Sequence, residues 1–336
     1  MHYRQFGSTE LKTSQVGIGC ARLGGVFQDS DSAQLIGLLR QAYDAGITFF
    51  DTADMYTQGD SERLLGAALR EVRDRVIIAT KFGYCLPARK QLAQRIKPLI
   101  KPIVRRLGLT SKQLHSHVRG SVTQQDFSAG YIRHAVEASL RRLRTDYIDV
   151  YQLHDPPLDV LRRGDFVEPL EQLRSQGKIR YWGVASQRSD DVLDALDQPG
   201  LDSIQVGLSA LEQSALDTTI PRAAALGAAV IARQVYASGL LTRPVETIVT
   251  SDLDPEPEIA LSKQRQIAGF AAIARQCGRS QAELALQYAL ACQPVSVVLL
   301  GVSRKDQLDV NLRALTAAPL SNEERTLLAA LRRHDR

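Results

Sequence analysis

The chain has 336 residues, of which 44% are hydrophobic and 24% charged. That is an ordinary globular composition, in a chain long enough to bury a large core without metal or disulfide support. No apolar run reaches 18 residues and no apolar stretch follows Met1, so the sequence predicts neither a membrane-spanning helix nor a secretory leader, and the expected location is the cytoplasm. The cysteines at 20, 85, 277 and 292 have no paired spacing and read as buried thiols.

In chain order, Tyr3–Phe6 and Leu11–Thr13 around Gly7–Ser8 predict a small hairpin. Short β-branched or aromatic runs then alternate with longer amphipathic stretches. Strand Val16–Cys20 precedes helix Ser32–Ala45, Ile47–Phe50 precedes Ser61–Glu71, and Val76–Thr80 precedes Ser128–Leu143. Tyr147–Leu153 is followed by Phe166–Ser175, Lys178–Val184 by Asp190–Leu196, and Ser203–Val206 by Ala215–Leu226. Ala228–Ala232 leads to two helical patterns, Ser262–Cys277 and Ser280–Ala291, and Val295–Leu300 leads to Gln307–Leu315 and a final pattern at Ser321–Arg333.

Eight strands separated by helices are the count of an α/β fold of the (β/α)8 type, a TIM barrel, here with an N-terminal hairpin and additional C-terminal helices in a tail over 317–336. Several strands are continuous apolar runs, as expected of a parallel sheet covered on both faces. No Pro/Gly/Ser linker divides the chain, so residues 1–336 read as one domain. The rival doubly wound sheet lacks its nucleotide fingerprint, because Gly17, Gly19, Gly24 and Gly25 do not make GxGxxG, and no GxxxxGK[ST] occurs.

Charge is unevenly spread. Between Asp74 and Asp126 there is no carboxylate but eleven Lys/Arg; the chain as a whole carries +5, so the remainder carries about −6. Within this stretch, the segment 82–125 forms a basic insertion after the third barrel strand, with a stripe Leu92, Ile96, Leu99, Ile103 and Leu107 interrupted by Pro98 and Pro102. Three readings stand: a solvated surface, a lid favouring an anionic substrate, or a contact surface for a membrane, nucleic acid or acidic partner. No zinc spacing, RNP-like aromatics or helix-turn-helix pattern supports nucleic acid.

Four residues fall at strand ends or just beyond them: Asp51, Tyr56, Lys81 and His154. Barrel strand ends converge on one rim, so these can meet. A tyrosine with a pKa near 10 needs its phenolate stabilised to act as an acid, a lysine ammonium supplies that, and a carboxylate holds the lysine charged. An imidazole opposite can place a carbonyl oxygen, which gains negative charge as hydride arrives. Each residue also has a plain structural reading: a turn cap for Asp51, loop packing for Tyr56, an ion pair for Lys81, and a turn before Pro156–Pro157 for His154.

The stretches YRQFGSTELKTSQVGIG, FFDTADMYTQGDSERLLGAAL, VIIATK, ASLRRLRTDYIDVYQLHDP, LEQLRSQGKIRYWGV, ASGLLT and LLGVSRKDQLDVNLRAL make the chain resemble the aldo-keto reductase family over nearly its whole length. The resemblance implies a (β/α)8 barrel and NAD(P)H-dependent reduction of an aldehyde or ketone, with catalytic Asp51, proton donor Tyr56, Lys81 and His154. It further implies cofactor contacts at Gln205, at the turn Ser238, Gly239 and Leu240 beside the pyrophosphate, and at Gly301, Val302, Ser303, Arg304, Gln307 and Asn311 around the adenosine, with Gly24 and Arg233 added to this set.

The chain departs from the family pattern on the cofactor side. Ala185–Ser186 stand where the family usually has serine and asparagine, Leu208 where an aromatic often follows the glutamine, Gln213 in place of a common arginine, and Arg233 where an aromatic is frequent. These changes remove a hydrogen bond or two and a stacking face, each worth on the order of 1 kcal/mol. Three readings stand: subgroup drift in which Ser186 still hydrogen-bonds the nicotinamide amide and stays in the cofactor set, weakened or altered cofactor use in which Arg233 serves an anionic substrate or the cofactor phosphate, and loss of redox activity.

The family favours NADPH (NADP) over NADH (NAD), and Arg304 with Lys305 offers cations for a 2′-phosphate. The partners expected are thus a small carbonyl substrate, anionic or sugar-like, and no nucleic acid or integral membrane segment; a monomer or a homo-oligomer both fit. No metal is implied, although His115 and His117 could touch one. Two other readings stay open: a non-redox lyase or isomerase reusing the acid–base site, and a regulatory barrel like those attached to potassium channels.

Overall fold

Ten strands and eleven α-helices are laid out in the computed structural model, which describes residues 1–24, 31–85, 124–249, 252–253 and 256–331. Strands β1 (Tyr3–Gln5) and β2 (Lys12–Ser14) form an antiparallel hairpin. Eight parallel strands follow: β3 (Val16–Gly19), β4 (Phe49–Asp51), β5 (Ile77–Phe82), β6 (Ile148–His154), β7 (Ile179–Ala185), β8 (Ser203–Gly207), β9 (Ala229–Arg233) and β10 (Val295–Gly301). They pair in chain order and β10 closes on β3, so the predicted (β/α)8 barrel and hairpin are both present.

The helices are α1 (Ser32–Asp44), α2 (Asp60–Leu69), α3 (Ala129–Leu143), α4 (Leu158–Arg163), α5 (Val167–Ser175), α6 (Asp191–Ala195), α7 (Thr219–Ala225), α8 (Pro257–Gln276), α9 (Gln281–Ala291), α10 (Lys305–Leu315) and α11 (Asn322–Ala330). Three differ from expectation, each for a backbone reason. Helix α4 follows Pro156–Pro157, which read as a plain turn; Pro157 sits at its N-cap. Helix α7 begins at Thr219, after a separate 3₁₀ turn over Ser214–Leu216, because Pro221 has no N–H to donate and is tolerated only in a first turn. Helix α8 starts five residues early, at Pro257, for the same reason.

Side-chain parity along the strands builds both the core and the site. Odd-numbered Phe49, Ile77, Ala79, Ala229, Ile231, Val297 and Leu299, with Val150, fill the barrel, and Phe6 and Leu11 of the hairpin close its amino end. Phe6 and Phe49 rings lie 5.8 Å apart, both fully buried. The alternate residues Phe50, Ile78, Tyr151, Leu153, Trp182, Ile204, Val206 and Val298 pack outward against the helices. Further along the same inward rows come Asp51, Lys81, His154 and Arg233, so each strand is apolar at its start and polar at its carboxyl end.

The two helices between β9 and β10 both form. Phe270, Ile273 and Ala274 of α8 and Leu284 and Ala285 of α9 pack with Leu328 and Leu331 of the C-terminal segment into a second core outside the barrel. Of the basic insertion, only 82–85 and 124–125 are described; the stripe from Leu92 to Leu107, His115 and His117 lie outside the described residues. The last five residues, including the end of the predicted Ser321–Arg333 helix, do so too.

Candidate active site

Lys81 is the hinge of the polar end. Its Nζ donates to both Asp51 oxygens at 2.7 Å, to the Thr52 carbonyl at 2.9 Å and to the Tyr56 hydroxyl at 3.4 Å. Side-chain exposure is 1% for Lys81 and 5% for Asp51, a buried ion pair that needs this many partners to offset its desolvation. Gln205 donates to Asp51 Oδ1 at 2.9 Å and Gln152 at 3.4 Å, which completes the carboxylate's shell.

Tyr56 is carried by a turn in which Thr57 and Gln58 adopt φ of +47° and +61°. Such a conformation costs on the order of 1 kcal/mol per residue. It is held by the Thr57 hydroxyl, which donates to the Leu23 carbonyl at 2.8 Å and accepts from the Ser61 amide at the start of α2 at 3.2 Å. The strained turn sets the phenol over the Lys81 ammonium, 5.0 Å from its ring centre.

His154 ends β6, with the ring of Tyr56 edge-on at 5.6 Å and that of Tyr84 at 4.9 Å. Its backbone and that of Asp155 accept from Gln125 Nε2 at 3.1 and 2.8 Å, and Asp155 accepts from the Gln187 amide at 2.6 Å. Its buried Nδ1 has no hydrogen-bond partner among the described residues.

The proton states follow from this packing. Burial raises the Tyr56 phenol above its usual range, with the Lys81 charge pulling it back and Asp51 pushing it up again. Burial works against the Lys81 ammonium, but Asp51 and Tyr56 together outweigh it and the amine's pKa ends raised. Burial, then the charges of Lys81 and Arg233, hold His154 well below the usual imidazole range. At neutral pH the group is therefore a charged lysine, a protonated tyrosine and an uncharged histidine.

All four predicted chemical residues are thus in one cluster. Gln152, Thr52, Tyr84 and Gln125 join it without having been predicted. Gln152 was legible, being two residues before His154 on the same inward row; Tyr84 and Gln125 sit on irregular backbone joined by an isolated bridge and carry no periodic signal.

Apart from Gly24, the residues expected around a nucleotide are carried by β8 to β10, the segments that follow β7, β9 and β10, and α10. Ser186 is buried; its hydroxyl accepts from the Arg188 amide at 3.2 Å and its carbonyl from Arg233 Nη2 at 2.6 Å. Leu208 is fully buried, its amide donating to the Arg233 carbonyl at 3.0 Å. The turn of Ser238, Gly239 and Leu240 has φ of +59° and +96° at its first two residues, and a Cβ built on Gly239 or Gly301 would meet nothing within 4 Å.

Asn311 is buried, its Oδ1 accepting from Tyr236 at 2.9 Å while Nδ2 has no partner. Gln307 accepts from the Ser303 amide at 2.9 Å and hydroxyl at 3.2 Å, and Arg304 forks onto Asp306 at 3.0 and 2.9 Å. Gly24 differs in character: at φ +84° it packs against Asp60 and Leu64 of α2, where a Cβ would come to 3.1 Å. Open backbone at Gly239 and Gly301 and, among the described residues, an unpartnered Asn311 Nδ2 are features that fit a phosphate-bearing cofactor. Among the described residues no group of three His, Cys, Asp or Glu could hold a metal ion, and no helix is long and apolar enough to cross a membrane.

The family model described as "Aldo/keto reductase family" matches residues 15–333. An uncharacterized oxidoreductase, YqkF, of Bacillus subtilis (strain 168) is 29% identical over 99% of this chain and 96% of its own length. L-galactose dehydrogenase of Arabidopsis thaliana is 30% identical over 93% and 88%. Among solved structures, the holo form of the aldo-keto reductase AKR11C1 from Bacillus halodurans superimposes with a TM-score of 0.78 at 30% identity, covering 98% of this chain and 96% of that one.

Proposed function

The chain belongs to the aldo/keto reductase family, and from that premise we propose that it interconverts a small carbonyl compound and its alcohol, with Tyr56 handling the proton and NADPH as the preferred cofactor. The observation that carries the reading is the Lys81 ammonium, held between both oxygens of Asp51 and the Tyr56 hydroxyl beside an uncharged His154. When bound, the reduced nicotinamide supplies hydride to the carbonyl carbon.

The chain's own residues do the rest. A protonated Tyr56 gives its proton to the carbonyl oxygen as negative charge grows there, and the adjacent ammonium stabilises the phenolate left behind. Asp51 keeps Lys81 charged, and Gln205 and Gln152 keep Asp51 from drawing the lysine away from Tyr56. His154, uncharged, donates a hydrogen bond to the same oxygen without competing as an acid. Gln205 spends its amide nitrogen on Asp51 and so offers its oxygen to a carboxamide N–H. In the reverse direction the same groups take the proton from an alcohol.

NADPH is preferred in this reading because Arg304 and Lys305 stand at the adenosine end, although Asp306 must release Arg304 first. Of the inward residues that end the strands, Asp51 and Lys81 cancel and Arg233 leaves one positive charge, which supports a substrate bearing a carboxylate or phosphate. The non-redox and channel-associated readings are not favoured, since the relatives are named as an oxidoreductase and a dehydrogenase. Action in the cytoplasm completes the proposal.

Calorimetric titration of purified protein with NADPH and NADH, followed by carbonyl substrates with anionic ones first, tests it. Saturable NADPH binding with turnover is the expected result; no binding of either nucleotide overturns the reading.

A further inference from the structure

We propose that Arg233 makes the cofactor site discriminate between redox states, binding the reduced dinucleotide more tightly than the oxidised one. The inference rests on the nucleotide-dependent reading above and goes beyond it, because it concerns which form of the cofactor the protein prefers.

Strand parity places Arg233 at the mouth of the barrel. Ala229 and Ile231 of β9 point into the barrel, and Arg233 is the next residue in that row, the last of the strand and paired in register with Gly207. Its guanidinium donates to the Ser186 carbonyl at 2.6 Å across the mouth. Among the described residues it has no ion pair, while the other inward cation, Lys81, is neutralised by Asp51. Its charge reaches both Tyr56 and His154, acting on the proton affinity of each.

A hydride donor has to lie against the carbon whose oxygen Tyr56 and His154 address. The chain's open backbone for a diphosphate is at Ser238–Gly239, five residues beyond Arg233 along the same connection. The ring that joins these two points therefore passes the inward end of β9, where the side chain is Arg233.

The chemistry of the ring makes the charge matter. An oxidised nicotinamide carries a positive charge and a reduced one does not, so an unneutralised guanidinium in a half-buried place opposes only the oxidised form. The bound couple is thereby biased toward its reduced state, which favours alcohol oxidation at the level of the bound complex and slows inhibition by oxidised cofactor. An aromatic at the same position would offer a stacking face without this bias.

Calorimetry on the full chain, titrated separately with NADPH and NADP⁺ and again with NADH and NAD⁺, reads the effect. The wild type is expected to bind the reduced form about ten-fold or more tightly, and Arg233→Gln, which keeps a donor for the Ser186 carbonyl, to bring the two constants about ten-fold closer. Arg233→Lys, which keeps the charge, should retain most of the preference and guards against a folding defect in the first variant. Equal affinities in the wild type, or a ratio unchanged in Arg233→Gln, overturn this inference and leave the reductase reading standing. Failure of all four nucleotides to bind the wild type overturns both.

Discussion

The two ends of the barrel are built from the same strands by the same two-residue period, and they do opposite work. At the amino end, Phe49, Ile77, Val150 and Ile231 meet Phe6 and Leu11 of the hairpin in a dry plug. Two to four residues later, the same inward rows present Asp51, Lys81, His154 and Arg233. A fully buried phenylalanine contributes about 2–3 kcal/mol by leaving water. A buried ion pair of the kind made by Lys81 and Asp51 roughly breaks even against its desolvation. The difference teaches that the plug stabilises the fold while the polar end is tolerated by it, and is explained by what it can do to a bound carbonyl.

The largest effect that would break this division is at Tyr56. Tyr56→Phe removes the proton donor and leaves the ring, so kcat is expected to fall about a thousand-fold, with nucleotide affinity and melting temperature close to wild type. A variant that still turns over at a tenth of the normal rate would remove Tyr56 from the chemistry. The counterpart at the other end is Phe49→Ala. It should cost about 3–5 kcal/mol in urea unfolding through loss of buried area and the cavity left against Phe6. The fraction that remains folded should keep its kcat, and a specific loss of turnover would show that the plug and the site are coupled.

A pair of variants sharpens the comparison at intermediate size. Lys81→Met leaves Asp51 buried with only amide donors from Gln205 and Gln152, and should destabilise by about 3 kcal/mol. Adding Asp51→Asn removes the stranded charge and should restore most of that stability while leaving turnover abolished. If the double variant is no more stable than the single one, the ion pair is itself a support of the fold and the division between the ends is wrong.

How far the sequence alone could go depends on the same physics. The eight barrel strands were legible because strands buried on both faces are continuous apolar runs, and the four chemical residues because they end those runs. Gln152 could have been found by counting back two from His154. The turn holding Tyr56 could not, since nothing in Thr57–Gln58 announces positive φ; the Thr57 hydroxyl bonded to the Leu23 carbonyl, far away in sequence, helps maintain it. Helix α4 was hidden because Pro156–Pro157 predict a turn equally well whether or not a helix follows. On the cofactor side, Arg233 was visible as a departure, but its place in the inward row needed the register of β9 against β8.

A pH-dependent effect is expected at Asp54, two residues before Tyr56. Among the described residues its Oδ1 has no hydrogen-bond partner, its Oδ2 accepts from the Tyr131 hydroxyl at 3.5 Å, and burial, reinforced by the nearby charge of Glu62, pushes its carboxyl up to about 8. The folded protein therefore holds this proton at neutral pH, whereas the unfolded chain gives it up near the ordinary aspartate value of 3.8. Folding takes up a proton between those limits, so Asp54 stabilises the fold least at high pH, and the wild type should lose stability as pH rises toward 8. Asp54→Asn removes the titration and mimics the protonated acid. It should be more stable than wild type at pH 8.5, with the gap narrowing by roughly 1 kcal/mol for each pH unit from 8 toward 5. Urea midpoints at the two pH values measure this directly, and parallel curves for the two proteins would show that Asp54 is ionised in the fold and that the carboxyl beneath the Tyr56 turn is better solvated than its packing implies.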